Sequence, residues 1–427
     1  MGSAVTSDVS SRPGYGQLLR TPGALSFVLP GFAARQPFAM LTISIVLLVQ
    51  HTSGSYGTAG LVAAAAGTAV ALCAPVSGKL SDRYGQSRVL VPTVAIHASA
   101  VVALALLALA GAPVAALMAA ALAAGATIPQ IGPMVRARWA ARLPADSPLL
   151  QKAAAFESVT DEFTFVIGPV FAAALCSGIH PAAGLLAEAV LTLAGGLFFA
   201  ASRATAPPVL PAAERGKHPS ALRVPGVLVL AVVFLGIGSV FGGMQVSLTA
   251  FSEEIGNPGV NGVLYGIFAA GNMLAGIAFG MVHWKVSPRR RLLVAYPLLV
   301  AATATLWTVH SAPLLGALGL VVGVCIAPAL ITGFTLVDQI VPAASRTEAY
   351  TWLTGAVAMG QALAASAAGR LTDAGGASLG FLVPLAGTGL AAVVLLALRS
   401  RLTPGAGASR SRIAAQGARL REPLAVD

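Results

Sequence analysis

Apolar residues occur along this chain in long blocks, broken by charges, Gly and Pro. The blocks fall at 24–49, 57–77, 89–110, 113–134, 154–178, 181–202, 225–250, 260–281, 291–310, 313–336, 350–369 and 379–399. A hydrocarbon core of ~30 Å takes about 20 helical residues to cross, so each block predicts a membrane-spanning helix. The fold class expected is therefore an all-α membrane protein of twelve transmembrane helices. Residues 203–224, RATAPPVLPAAERGKHPSALRV, form the longest polar stretch inside the chain. Its prolines and mixed charges read as a linker between two six-helix bundles. The organisation is then a tail at 1–23, bundles at 24–202 and 225–400, and a basic tail at 401–427. The polar first residues and the lack of a cleavage site after the first block predict a retained helix, not a signal peptide.

Composition agrees. The chain is 56% hydrophobic and 10% charged, with a mean hydropathy of +0.83. Soluble domains carry about 25% charged residues, and a soluble chain this poor in charge could not cover its surface. The three cysteines, Cys73, Cys176 and Cys325, lie far apart in apolar blocks and imply neither disulfides nor a metal site. His97, His180 and His310 lack metal-ligand spacing, and no phosphate-binding glycine loop or catalytic constellation is present. Neither an enzyme nor an ATP-driven pump is expected, and no cofactor is implied.

The net charge of +11 would suit nucleic acid, but its distribution argues for a lipid bilayer instead. With twelve spans and the N-terminus inside, every Lys and Arg except Arg35 and Arg370 falls in a tail or a cytoplasmic loop, as the positive-inside rule requires. Both termini are expected in the cytoplasm, with the basic tail facing anionic headgroups. Arg outnumbers Lys 22 to 4 and Ala is abundant, which points to a high-GC bacterium and its cytoplasmic membrane.

The loop after the second block, GKLSDRYGQSRVL (78–90), closely resembles the loop 2–3 signature of the major facilitator superfamily, G-x-L-x-D-R-x-G-x-x-R. Gly78, Leu80, Asp82, Arg83, Gly85 and Arg88 occupy the matching positions. Physically, Gly78 permits close helix approach and Gly85 can take a positive φ in a tight turn. The resemblance implies two pseudo-symmetric bundles and a gate role for Asp82 and Arg83, latching the cytoplasmic side when the cavity opens outward. A degraded copy, GMVHWKVSPRRRLL (280–293), follows the second helix of the second half, with Trp284 at the acidic position and Ser287 at the turn glycine.

The fifth block opens on FESVTDEFTFVIGP (156–169), which holds Glu157, Asp161 and Glu162. Asp161 and Glu162 lie ~12–15 Å into the helix at 1.5 Å per residue. Glu157 and Asp161 share a face about 40° wide, and Glu162 is turned a further ~100°. A charge at this depth costs at least ~2.5–3.5 kcal/mol unless it is paired, protonated or wet. Arg35 of the first block is the candidate partner, through Asp161 or Glu162, because the family fold makes the first and fifth helices neighbours. One Arg cannot neutralise three acids, so this set is expected to couple transport to protons; a packing ion pair is the competing reading. The helix continues through Gly168-Pro169, resembling the proton-driven drug antiporters' G-x-x-x-G-P-x-x-G-G, with Thr164 for the first glycine and Ala172-Ala173 for the last pair. That branch's acidic first-helix motif is missing, and 120–133 carries no arginine.

Gln130, Gln245, Asn272, Trp352 and Gln361 are candidate cavity-lining residues, and Glu188 reads as a packing hydrogen bonder. The expected function is secondary active transport of a small-molecule substrate, as proton-coupled antiport exporting an amphipathic molecule. The alternative is a proton-coupled importer or facilitator of a metabolite. The excess of buried acids favours cationic or neutral substrates, and a monomer is expected.

Overall fold

The computed structural model describes residues 15–144, 147–209, 220–257, 260–282 and 284–403. Regular structure among them is helical throughout: α1 (Tyr15–Leu19), α2 (Ala24–Ser53), α3 (Tyr56–Tyr84), α4 (Gln86–Leu109), α5 (Val114–Thr127), α6 (Ile131–Arg142), α7 (Pro148–Gly178), α8 (Ala183–Ala201), α9 (Pro225–Glu254), α10 (Val260–Met281), α11 (Pro288–Thr303), α12 (Ala312–Ile340), α13 (Arg346–Gly380) and α14 (Leu382–Ala397). Most of both tails, and Arg215 and Lys217 of the linker, lie outside the described residues.

Among the described residues, ten helices are long and apolar enough to cross a membrane, with α5 and α6 counting as one span, Val114–Arg142. The eleventh and twelfth expected spans are α13 and α14. They meet the same test only together, as a pair bent by 79°. The α13 helix already breaks at Gly375 and Gly376, where Gly376 has φ 81 and ψ 179, a region that is essentially Gly-only. The carboxylate of Glu254, at the end of α9, then accepts the N–H of Ala377 at 2.6 Å as the helix resumes.

Two boundaries differ from expectation in a way that matters for the site. The fourth span was expected at 113–134, with Arg136 and Arg138 in the following loop. Instead the chain breaks at Ile128–Gln130, around Pro129, and resumes as α6, which carries both arginines in helix and buries them. The fifth span begins at Pro148, capped by Ser147, whose Oγ accepts the Leu149 N–H at 3.2 Å. Lys152, also expected in the loop, is thereby a buried helical residue.

Helices α2 to α8 contact one another as one bundle, and α9 to α14 as a second. The halves meet through α3 and α6 against α13, and through α7 against α10 and α12. Small residues set the closest approaches: an added Cβ at Gly238 of α9 would collide with the Val357 carbonyl of α13, as expected where helices associate without a hydrophobic driving force. Outward-facing side chains such as Leu72, Phe198 and Leu390 are 68%, 69% and 68% exposed, an apolar exterior suited to lipid.

Candidate functional site

The acids of α7 sit at the seam between the halves. Arg35 of α2 donates from Nη1 to Asp161 Oδ1 at 3.1 Å and from Nη2 to Glu157 Oε2. Asp161 Oδ2 accepts from Arg136 Nη2 of α6 at 2.6 Å, and Glu157 Oε1 accepts from Trp139 Nε1 at 2.7 Å. Glu157 and Asp161 thus share the face that one helical turn gives them, and the expected Arg35–Asp161 pair is present. Arg35 does not reach Glu162, its other candidate partner. The side chains of Arg35 and Glu157 are buried, while that of Asp161 is 35% exposed. The guanidinium of Arg136 also lies 3.8 Å from the ring centre of Phe334 on α12, so this cation touches both halves.

Two arginines therefore face two of the three acids expected to share Arg35, with Glu162 left over. The second cation is Arg136, which lies just beyond the arginine-free stretch 120–133. Glu162 points the other way: its Oε1 accepts from Asn272 Nδ2 of α10 at 2.5 Å. Tyr265 is close enough to interact electrostatically with it. The Asn272 Oδ1 is sealed from solvent without a donor among the described residues.

On the face that carries the basic loops, the halves are pinned together. Asp82 Oδ1 and Oδ2 accept the backbone N–H groups of Thr347 at 3.2 Å and Glu348 at 2.8 Å, in the first turn of α13. Those donors have no partner inside their own helix, and an anion there also meets the positive end of the helix dipole. A Cβ at Gly78 would lie 3.1 Å from the Cα of Glu348, so the glycine is what lets α3 reach α13. Gly85 closes α3 with φ 92, its N–H donating to the Ser81 carbonyl at 2.9 Å. Arg83 and Arg88 are exposed; Arg83 sits over the neighbouring Tyr84 ring and does not share the Asp82 contact. Across the same seam, Lys152 Nζ donates to the Gly280 carbonyl at 2.7 Å, Tyr15 Oη to that of Ile277 at 3.0 Å, and Arg346 Nη1 to that of Ala140 at 3.3 Å.

From this face inward, α7 meets α10 through Lys152, then through Val159 beside Gly276, and then through Glu162 with Asn272. Beyond Glu162, Phe163, Phe165, Val166, Ile167, Val170 and Phe171 are exposed. The charge cluster therefore lies where the close contact between α7 and α10 ends.

Asp338 escaped the sequence reasoning. It is 5% exposed at the end of α12, accepts from Tyr350 Oη, and shares a cavity of about 10 Å³ with Arg136, Trp139, Glu157 and Phe334. Its only signal was a lone acid two residues past an apolar block, on the side that collects cations. Of the residues read as cavity-lining, Gln130 is 4% exposed and spends its amide on the Ile128 carbonyl, inside the fourth-span break. Gln361 lies where α13 is pressed against Gly238 and Gly242. Gln245 is exposed, and Trp352 is half-buried with its Nε1 lacking an acceptor among the described residues. Glu188 takes the packing role expected of it: its Oε1 lies 2.6 Å from His97 Nε2, while His97 Nδ1 donates to the Ala124 carbonyl at 2.8 Å.

Two bundles of span-length apolar helices thus meet at a seam that holds paired charges. Residues 29–315 match the family model of the Major Facilitator Superfamily, and the chain belongs to that family. No curated protein matches it in sequence. Its fold is similar to that of the human organic anion transporter MFSD10 (TETRAN), with 18% identity, 88% of this chain and 99% of that one covered, and a TM-score of 0.68. It is likewise similar to a bacterial homologue of the iron transporter ferroportin in an outward-facing state, with 17% identity, 88% and 99% coverage, and a TM-score of 0.70. A third similar structure is the proton:xylose symporter XylE, with 13% identity, 88% and 96% coverage, and a TM-score of 0.63. At these identities the likeness concerns the fold.

Proposed function

We propose that the chain is a proton-coupled antiporter of the bacterial cytoplasmic membrane. It works as a monomer with both termini inside, and exports a small amphipathic molecule by alternating access between the two bundles. The observation that carries this reading is the set of three acids on α7 at the seam: Glu157 and Asp161 are ion-paired to Arg35 and Arg136, and Glu162 accepts from Asn272 of the other half. Carboxylates held at depth by mobile partners can change protonation when rocking separates them from those partners. The latch at Asp82 supports the same reading: a contact that holds the halves together on the basic face is what a gate on that side requires.

The test is accumulation of a fluorescent lipophilic cation in inverted membrane vesicles, with and without a proton gradient, comparing the wild type with Asp161→Asn. Gradient-dependent accumulation that fails in the variant supports antiport through Asp161. Accumulation that persists moves the coupling proton to Glu157 or Glu162. Accumulation indifferent to the gradient refutes proton coupling, and gradient-driven movement in the reverse direction favours the importer.

A further inference from the structure

Once Arg35 and Arg136 are assigned to Glu157 and Asp161, the third acid of α7, Glu162, has no ion-pair partner among the described residues. Glu162 is half-buried, and its hydrogen bond comes from a neutral amide, Asn272 of the opposite half. That amide is itself incompletely matched, since its 3%-exposed side chain keeps the Oδ1 buried without a donor among the described residues. Asp161, the residue preceding Glu162, is close enough to interact with it electrostatically, and its side chain is 35% exposed. On α10, Tyr265 lies two turns before Asn272 and close enough to Glu162 to interact with it electrostatically, its ring packed 5.5 Å from that of the buried Phe268.

We propose that Glu162 and Asn272, with the Tyr265 ring beside them, form a subsite for the charged centre of a lipophilic organic monocation. This deepens the transporter reading and rests on it for the meaning of the site, though not for the binding itself. One free carboxylate calls for one positive charge. No group of three or more His, Cys, Asp or Glu side chains among the described residues could hold a metal ion. An aromatic ring beside a carboxylate suits a diffuse organic cation, which gains both from the ring quadrupole and from the anion. A cation entering here replaces a hydrogen bond from a neutral amide with a stronger, charge-assisted contact. Because Glu162 belongs to α7 and Asn272 to α10, the exchange occurs at the contact that joins the halves, so occupancy acts on the seam itself.

The experiment measures equilibrium binding of labelled tetraphenylphosphonium to the full chain in lipid nanodiscs, with tetraphenylborate, of the same shape and opposite charge, as competitor. The wild type is expected to bind the cation, with no competition from the anion. Glu162→Gln should weaken binding about 10- to 100-fold, the equivalent of one hydrogen bond to a charged group. Glu162→Asp should retain part of the affinity, and the exposed Glu253→Gln should retain all of it. Equal affinity in the wild type and Glu162→Gln, no cation binding to the wild type, or effective competition by the anion would each overturn the proposal. The vesicle assay separates this outcome from failure of the antiport reading. Binding that depends on Glu162 without proton-driven transport leaves the subsite standing and removes antiport, whereas proton-driven transport with Glu162-independent binding does the reverse.

Discussion

Replacing Asp82 by Asn tests the latch with almost no change in volume. The carboxylate accepts two backbone N–H groups, from Thr347 and Glu348; an asparagine offers one oxygen and no charge. A hydrogen bond to a charged group contributes about 1.5–3 kcal/mol, and an anion at a helix N-terminus about 0.3–1 kcal/mol, up to ~2 when partly buried. One bond survives in weaker, neutral form, so the net loss is about 2 kcal/mol, or about 30-fold in an equilibrium constant. The loss falls on the closed state alone, because water solvates the freed N–H groups once the halves separate. If about 99% of the wild type is closed on this side, the closed-to-open ratio should fall to about 3:1 in the variant. Spin labels at Arg203→Cys and Arg290→Cys, on exposed basic-face positions of the two halves, report this by pulsed dipolar spectroscopy in a background lacking Cys73, Cys176 and Cys325. A longer-distance population should emerge in Asp82→Asn. An unchanged distance distribution would refute the claim that these two bonds hold the basic face shut.

Two further outcomes follow from the geometry. Arg136→Gln leaves Asp161 with Arg35 alone and should lower stability by about 2–3 kcal/mol, below the ~3–5 kcal/mol for breaking a fully buried pair because Asp161 is 35% exposed and keeps Arg35; thermal unfolding in detergent measures it, and failure of Asp161→Asn to restore part of the loss in the double variant would show that the pair is not its source. Gly376→Ala forces a side chain into a glycine-only conformation against the Glu254 carboxylate and should cost about 1–3 kcal/mol, read as a lower unfolding midpoint; an unchanged midpoint would mean that the break between α13 and α14 does not depend on that conformation.

The spans and the shared face of Glu157 and Asp161 were legible in the sequence because both follow from local rules. Hydrocarbon admits only backbone that satisfies its own hydrogen bonds, so apolar blocks of spanning length must be helices. A turn of 100° per residue then fixes which side chains of one helix lie together. The need of Arg35 for an anion was legible for the same reason, since an arginine at that depth cannot shed its charge.

What the sequence could not yield is how charge is shared between segments far apart in the chain. A charge ends an apolar block in any local reading, so Arg136 and Arg138 were assigned to a loop. In the folded protein, Asp161 accepts Arg136, while Gln86, Thr205 and the Phe199 and Ser202 carbonyls accept Arg138, and the helix runs on through both. Asp338 was lost in the same way, because its Tyr350 partner belongs to the next helix. The sequence by itself determined a family of helices and a set of acids at depth. Only the tertiary structure decided that two arginines hold two of those acids and that Glu162 reaches Asn272, 110 residues away, because the partner of a buried charge is chosen by packing across the seam and not by its neighbours in the chain.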